Sequence, residues 1–292
     1  MNSMDYDSYM KKLMAESGVK STLEILTMKS LFIEMFFDEQ KLSSGTAFLA
    51  ANDTTSHCAL ITNRHNVTGR NQETDECLSR LGAIPNNIVI HFHKKGSIGE
   101  WHKVNLPLYR ENGEPYWIED PLLGKKADVI ALNLNWGSDV NKLPYYMKTT
   151  LDRDNLYVGP SDTVSVIGFP FGISSSGKFP VWATGFMAQE LLLITKENPV
   201  FLIDCRARQG QSGSPVVAYR SGGFRKIDGD KITSVLSAAP KWEFLGIYSG
   251  RINNESDLGR VWHASVIERI LNAAEKDFQD RITKSKEKIK LN

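Results

Sequence analysis

Three stretches of the sequence carry side chains that together have the chemistry of acyl transfer. The first is Gly210-Gln211-Ser212-Gly213-Ser214-Pro215, a serine with glycines two positions before it and one after. Glycine accepts positive φ and has no Cβ, so such a serine can stand exposed on a tight turn. The same turn can aim the backbone N–H groups of Gly210 and Ser212 at one point, where an oxyanion would form. Alone, the pattern also fits a Gly/Ser hairpin loop of any all-β protein.

The other two stretches supply what a serine needs. A serine hydroxyl is a weak nucleophile at neutral pH, so a base must take its proton and later return it to the leaving group. Ala59-Leu60-Ile61-Thr62-Asn63-Arg64-His65 ends an apolar strand on a histidine. Ala127-Asp128-Val129-Ile130-Ala131-Leu132 puts an aspartate at the mouth of a second apolar strand. A carboxylate there would fix the histidine tautomer and stabilise the imidazolium.

The order His65, Asp128, Ser212 resembles that of the chymotrypsin-like (trypsin-like, PA-clan) serine peptidases, over roughly Leu31 to Leu271. Thr62-Asn63-Arg64-His65 matches the family's T-x-x-H strand end, and Asp128 opens its D-[LIV]-A-[LV] strand with one residue extra. Gly210–Pro215 matches G-[DN]-S-G-[GS]-P except at Gln211. The HtrA-like and glutamyl-endopeptidase-like branch is the most similar: Val166-Ile167-Gly168-Phe169-Pro170-Phe171-Gly172 resembles a hairpin of the HtrA-like branch, and Gly246-Ile247-Tyr248-Ser249 resembles the family's cleft-lining strand after the nucleophile. The resemblance implies a serine endopeptidase with His65, Asp128 and Ser212 as catalytic residues and Gly210 and Ser212 N–H as the oxyanion hole. It implies no metal and no organic cofactor. The alternative is a peptide-binding or scaffolding module that keeps the fold without cutting.

Departures from the family bear on control and specificity. Gln211 stands where secreted members carry an aspartate, so activation through a freed N-terminal ammonium is not expected. With only about 25 residues after Val266, no PDZ-like segment is expected after the core. The segments that would wall the specificity pocket, about Arg206 to Gln209 and Ser249 to Arg251, contain no carboxylate. Arg206, Gln209, Ser249 and Arg251 are therefore the candidate substrate-binding residues, and the arginines admit an acidic P1 side chain.

The elements that must position these residues read as short strands between turn clusters: Leu31–Phe37, Gly45–Ala50, Ala59–Asn63, Asn87–His93, Asp128–Leu134, Thr163–Phe169, Val181–Glu190, Val200–Cys205, Pro215–Tyr219 and Phe244–Ser249. Val, Ile, Phe and Thr dominate them, and many alternate apolar with polar. The expected fold is all-β: two packed six-stranded antiparallel barrels in a peptidase domain at 31–265, the first about 31–143 and the second about 154–261. Residues 1–30 are read as an N-terminal helical extension, from Asp5 to about Met28. Residues 266–292 are read as an amphipathic helix with a basic end, docked on the second barrel; Ile267, Ile270, Leu271, Ala274, Phe278 and Ile282 share one helical face. Either terminal element offers a place for a regulatory partner.

Composition sets the outer limits. The 292 residues are 41% hydrophobic and 24% charged, which excludes a disordered or fibrous chain. A net charge of +1 gives no general attraction to nucleic acid or anionic membrane, so neither is expected as a partner. No apolar run approaches the roughly 18 residues of a membrane span. The polar start lacks a secretory pattern, and Cys58, Cys77 and Cys205 form no disulfide framework, so a soluble, cytoplasmic protein is expected. Asn52, Asn66 and Asn254 then lie in N-x-S/T triplets by chance. His91 and His93 share a strand face but lack zinc-ligand spacing with Cys58 or Cys77, and Asp120 and Asp204 are the reserve carboxylates.

Overall fold

The computed structural model describes residues 23–80, 82–173, 177–253 and 255–290, and for 284–290 the backbone alone. A short helix, α1 (Ile25–Lys29), leads into β1 (Ser30–Phe37), β2 (Gln40–Ala51) and β3 (Ala59–Thr62). The one-turn α2 (Arg64–Thr68) follows. Then come β4 (Asn87–His93), β5 (Trp101–Pro107), β6 (Trp117–Glu119), β7 (Ile130–Asn133) and β8 (Tyr145–Tyr146). These strands form one curled sheet in the order β5-β4-β1-β2-β3-β7-β6, with β8 parallel to β2.

The second half closes fully. It contains β9 (Thr163–Gly168), β10 (Val181–Met187), β11 (Val200–Asp204), β12 (Pro215–Arg220), a projecting hairpin of β13 (Gly223–Asp228) and β14 (Lys231–Leu236), β15 (Lys241–Arg251) and β16 (Leu258–His263). Six of them close a barrel in the order β10-β11-β16-β15-β12-β9. The chymotrypsin-like two-barrel architecture is present. The expected count of six strands holds for the second barrel; the first sheet has eight, with short β6 and β8 attached to β7 and β2, and its path stays open because the end strands β5 and β6 do not pair with each other.

Side-chain alternation explains why the strands between the barrels read as unbroken apolar runs. Along β2, Ala47 and Leu49 enter the core of the first sheet. Phe48 and Ala50 point the other way, into a core shared with Ile167, Val217 and Phe244 of the second barrel. In β3, Leu60 faces inward while Ala59 and Ile61 face the shared core. Both faces of these strands are covered, so neither needs polar residues.

The last helix, α3 (Ala264–Lys290), completes that shared core with Val266, Ile267, Ile270, Leu271 and Ala274. It docks across both barrels rather than on the second alone. Asp120, before β7, takes a two-pronged hydrogen bond from Arg269, and Asn133 of β7 donates to Ala274 O and Asp277 Oδ2, each at 2.9 Å. Most of the expected helix at Asp5–Met28 lies outside the described residues; Ile25–Lys29 is helical. Of the strands absent from the sequence reading, β5 is a half-exposed edge and β13 and β14 are mostly exposed, β6 and β8 are only three and two residues long, and β16 is a part-buried strand of the closed barrel. Edge strands keep charges that blur the apolar pattern.

Candidate active site

Strand β3 ends at Thr62, and the chain turns at once into α2, which carries His65. Asn63, fully buried, fixes this corner by donating from Nδ2 to the Asp128 carbonyl at 2.6 Å. The helix stops at Gly69 in the left-handed region (φ +62°), where Pro85 leaves no room for a Cβ. Asp128 lies just before β7, which pairs with β3, so strand pairing brings the two residues together.

The Asp128 carboxylate grips His65 twice. Oδ1 accepts the His65 backbone N–H at 2.9 Å, and Oδ2 meets the imidazole Nδ1 at 2.6 Å. An ionised carboxylate only accepts, so Nδ1 carries the hydrogen and Nε2 is left with a free lone pair. Asp128 is 1% exposed, and its burial is compensated by a third donor, Ser249 Oγ at 2.5 Å.

Ser212 comes from the other barrel, on the loop that enters β12. Gly210 (φ +94°) and Gly213 (φ +87°) take conformations that disfavour any side chain. A Cβ on Gly210 would also strike the Phe169 carbonyl. Gln211 is 1% exposed, and its Oε1 accepts the Arg208 N–H at 2.7 Å, so this loop is braced by its own glutamine. The backbone N–H groups of Gly210 and Ser212 donate to no acceptor among the described residues. Barrel one reaches across to this loop: Thr46 N–H and Asn66 Nδ2 donate to the Ser212 carbonyl at 3.0 and 3.2 Å.

His65, Asp128, Gly210, Ser212 and Ser249 line one cleft of about 720 Å³ between the barrels. Ser212 Oγ makes no hydrogen bond to His65. Of the residues expected to wall the specificity pocket, Gln209, Ser249 and Arg251 line the cleft and Arg206 does not. Arg206 is 84% exposed on its side chain and lies 3.5 Å from Asp257. Arg208 and Arg260 line the cleft in addition, with Glu73 at its edge against Arg260. The Tyr248 ring packs where a Cβ on Gly259 would be, so this wall is filled by a phenol that burial keeps protonated.

The remaining chemical candidates serve structure. His91 bonds Glu34 at 2.8 Å, while His93 stacks against Phe179 beside Trp101. Asp120 is committed to Arg269, and Asp204 lies exposed on β11. Burial pushes the Cys58 thiol up to about 12 and Cys205 to about 11, so neither is a thiolate at neutral pH. Among the described residues no cluster could hold a metal, and no helix is long and apolar enough to cross a membrane.

Sequence reasoning missed Thr46, Asn66 and Gln211 as supports of the serine loop, and it placed Ser249 on the pocket wall only. Asn66 directly follows His65, the one signal that pointed toward it.

No protein-family model and no curated protein matches the chain. Solved structures do. The Rv3671c protease of M. tuberculosis in its active form is 16% identical, with a TM-score of 0.45 over 85% of this chain and 81% of that one. A serine endoprotease from Yersinia pestis is 12% identical, TM-score 0.46, over 89% of this chain and 69% of that one. The thermostable serine protease AL20 is 11% identical, TM-score 0.47, over 86% and 98%. Likeness at that level says nothing about which residues act or on what.

Proposed function

We propose that this chain is a serine endopeptidase acting through an acyl-enzyme on Ser212. One observation carries the reading. An imidazole held in a defined tautomer by a buried aspartate shares a cleft with a serine loop whose two backbone N–H groups have no acceptor among the described residues. Ser212 Oγ attacks the scissile carbonyl carbon while His65 Nε2 takes its proton. The oxyanion forms against Gly210 and Ser212 N–H. The C–N bond then breaks as His65 returns the proton to the leaving amine. Water, deprotonated by His65, attacks the acyl carbon, and the Ser212–acyl bond breaks as the serine recovers its proton. Asp128 stabilises the imidazolium at each stage.

The substrate is a protein or peptide. Arg208, Arg251 and Arg260 outnumber the carboxylates Glu73 and Asp128 around the cleft, with Arg260 paired to Glu73 and Arg208 to Asp257, and this small cationic surplus favours an acidic P1 side chain. A cytoplasmic setting is part of the proposal, since three unbridged thiols suit a reducing compartment. A regulatory partner would engage the N-terminal extension or the outer side of α3, whose apolar face is already buried.

A second reading, a peptide-binding module, is favoured by the missing Ser212–His65 hydrogen bond. In peptidases that bond often tightens only when substrate is bound. Labelling by a fluorophosphonate and turnover of an unfolded protein, both lost in Ser212→Ala and His65→Ala, are expected of the enzyme. Tight peptide binding without cleavage would establish the module instead.

A further inference from the structure

The two N–H groups proposed to hold the oxyanion belong to the peptide units 209–210 and 211–212. In a trans peptide the N–H points opposite to the C=O, so whatever holds each carbonyl aims its N–H. The Gln211 carbonyl is held inside the loop, by Ser214 N–H at 2.9 Å. The Gln209 carbonyl is held from outside, by Phe171 N–H at 2.5 Å. Phe171 sits in the turn Pro170–Gly172 at φ +55°, a left-handed conformation that costs energy for a side-chain-bearing residue. Surrounding contacts must therefore hold that turn in place.

One contact that does so comes from the opposite barrel, beside the packing of the Phe32 ring of β1 on Phe169. Thr46 of β2 is fully buried, and its Oγ1 accepts Phe169 N–H at 3.2 Å while donating to the Gly210 carbonyl at 3.0 Å. Its backbone N–H donates to the Ser212 carbonyl, and its own carbonyl takes the Thr62 hydroxyl at 2.8 Å. One hydroxyl thus ties the Phe169–Gly172 turn to the serine loop. The fit is close: a Cβ on Gly168 would come within 2.7 Å of Thr46 Oγ1.

We propose that Thr46 is a positioning residue that sets the oxyanion hole of barrel two from barrel one. The inference rests on the reading of Ser212 as nucleophile. Without the hydroxyl, Phe169 N–H and the Gly210 carbonyl lose their shared partner, and the turn no longer pins the Gln209 carbonyl. Rotation of the 209–210 peptide then turns a carbonyl oxygen toward the developing oxyanion in place of an N–H donor. Two like partial charges would meet there, which raises the barrier to acylation while leaving ground-state binding nearly unchanged.

The test compares Thr46→Val, which keeps the shape without the hydroxyl, with Thr46→Ser, which keeps the hydroxyl. Steady-state hydrolysis of one peptide substrate gives kcat and KM, and a peptide aldehyde reports affinity for a tetrahedral adduct. Thr46→Val is expected to lower kcat about 10²-fold, the loss typical for one oxyanion donor, with KM within about twofold. Aldehyde affinity falls with kcat, and Thr46→Ser stays within a few-fold of wild type. Unchanged kcat in Thr46→Val, or equal losses in Val and Ser, overturns the proposal. Should Thr46→Val not fold, the exposed Phe171 decides: Phe171→Val must lower kcat and Phe171→Gly must keep it, and equal rates overturn the inference. Turnover surviving in Ser212→Ala would instead sink the nucleophile reading itself.

Discussion

Ser249 and His65 meet on a single atom: Asp128 Oδ2 takes the Ser249 hydroxyl at 2.5 Å and faces His65 Nδ1 at 2.6 Å. The two donors come from different barrels, since Ser249 lies on β15 and His65 on α2. The carboxylate that orients the imidazole is thus itself oriented by the barrel that carries Ser212. Relative movement of the barrels would be felt at the base as well as at the nucleophile.

Ser249→Ala removes a charge-assisted hydrogen bond from a buried carboxylate, a contact worth about 1.5–3 kcal/mol. His65 keeps its two bonds to Asp128, so the expected result is a loss of about tenfold in kcat rather than inactivation. Kinetics on one peptide substrate checks this, with thermal unfolding as the control for folding. A kcat equal to wild type would show that the Ser249 bond does not support the base.

Acid should destabilise the fold through His93. The side chain is 1% exposed, and burial pushes its pKa down to about 4 from 6.5, opposed by the Ser30 backbone. The unfolded chain therefore binds the proton more readily than the folded one. The stability that this group contributes is present above pH 6.5 and is lost as pH falls toward 4, at up to about 1.4 kcal/mol per pH unit. Urea unfolding of His93→Phe between pH 7 and 5 should show a shallower loss than wild type. Parallel slopes would count against the buried neutral histidine.

Lys29 ties the segment before β1 to the crossover between barrels. Its ammonium, 5% exposed, meets Asp152 Oδ1 at 2.5 Å and the Pro144 carbonyl at 2.8 Å, and it lies over the Tyr145 ring. Desolvation lowers its pKa, opposed by Asp152. Lys29→Met would leave the buried Asp152 without its counter-charge, held by the Tyr146 N–H and Trp242 Nε1–H donors, at a cost of about 3–5 kcal/mol. A chain truncated before Leu31 loses the same partner and should share that loss, measured by chemical denaturation. Stability near wild type in both would show the ion pair to be dispensable.

Specificity separates the arginines. Arg251→Ala should reduce the preference for Glu over Leu at P1 by about tenfold, since a close charge pair contributes on the order of 1.5 kcal/mol or more. Arg206→Ala, outside the cleft, should leave that ratio unchanged. Mapping cleaved termini in a peptide library reads both ratios at once. No acidic preference in the wild type would refute the electrostatic account.

The sequence by itself determined the local chemistry. Glycines at 210 and 213 dictate a positive-φ turn around Ser212, and apolar runs ending at Thr62 and beginning after Asp128 dictate strands that present those residues at their ends. The amphipathic stripe from Ile267 to Ala274 likewise required a helix with one buried face. Such properties depend on neighbours within a few residues, and they are written in residue type and spacing. Tertiary structure alone decided what those elements meet. That Ser249 reaches Asp128, that Thr46 holds Gly210, and that α3 spans both barrels follow from strand register and barrel packing between segments more than 100 residues apart. The same register turned Arg206 out to solvent and brought Arg260 into the cleft. A strand's pattern tells which face is buried but not which partner will cover it, and every support of the serine loop from the first barrel depends on that partner.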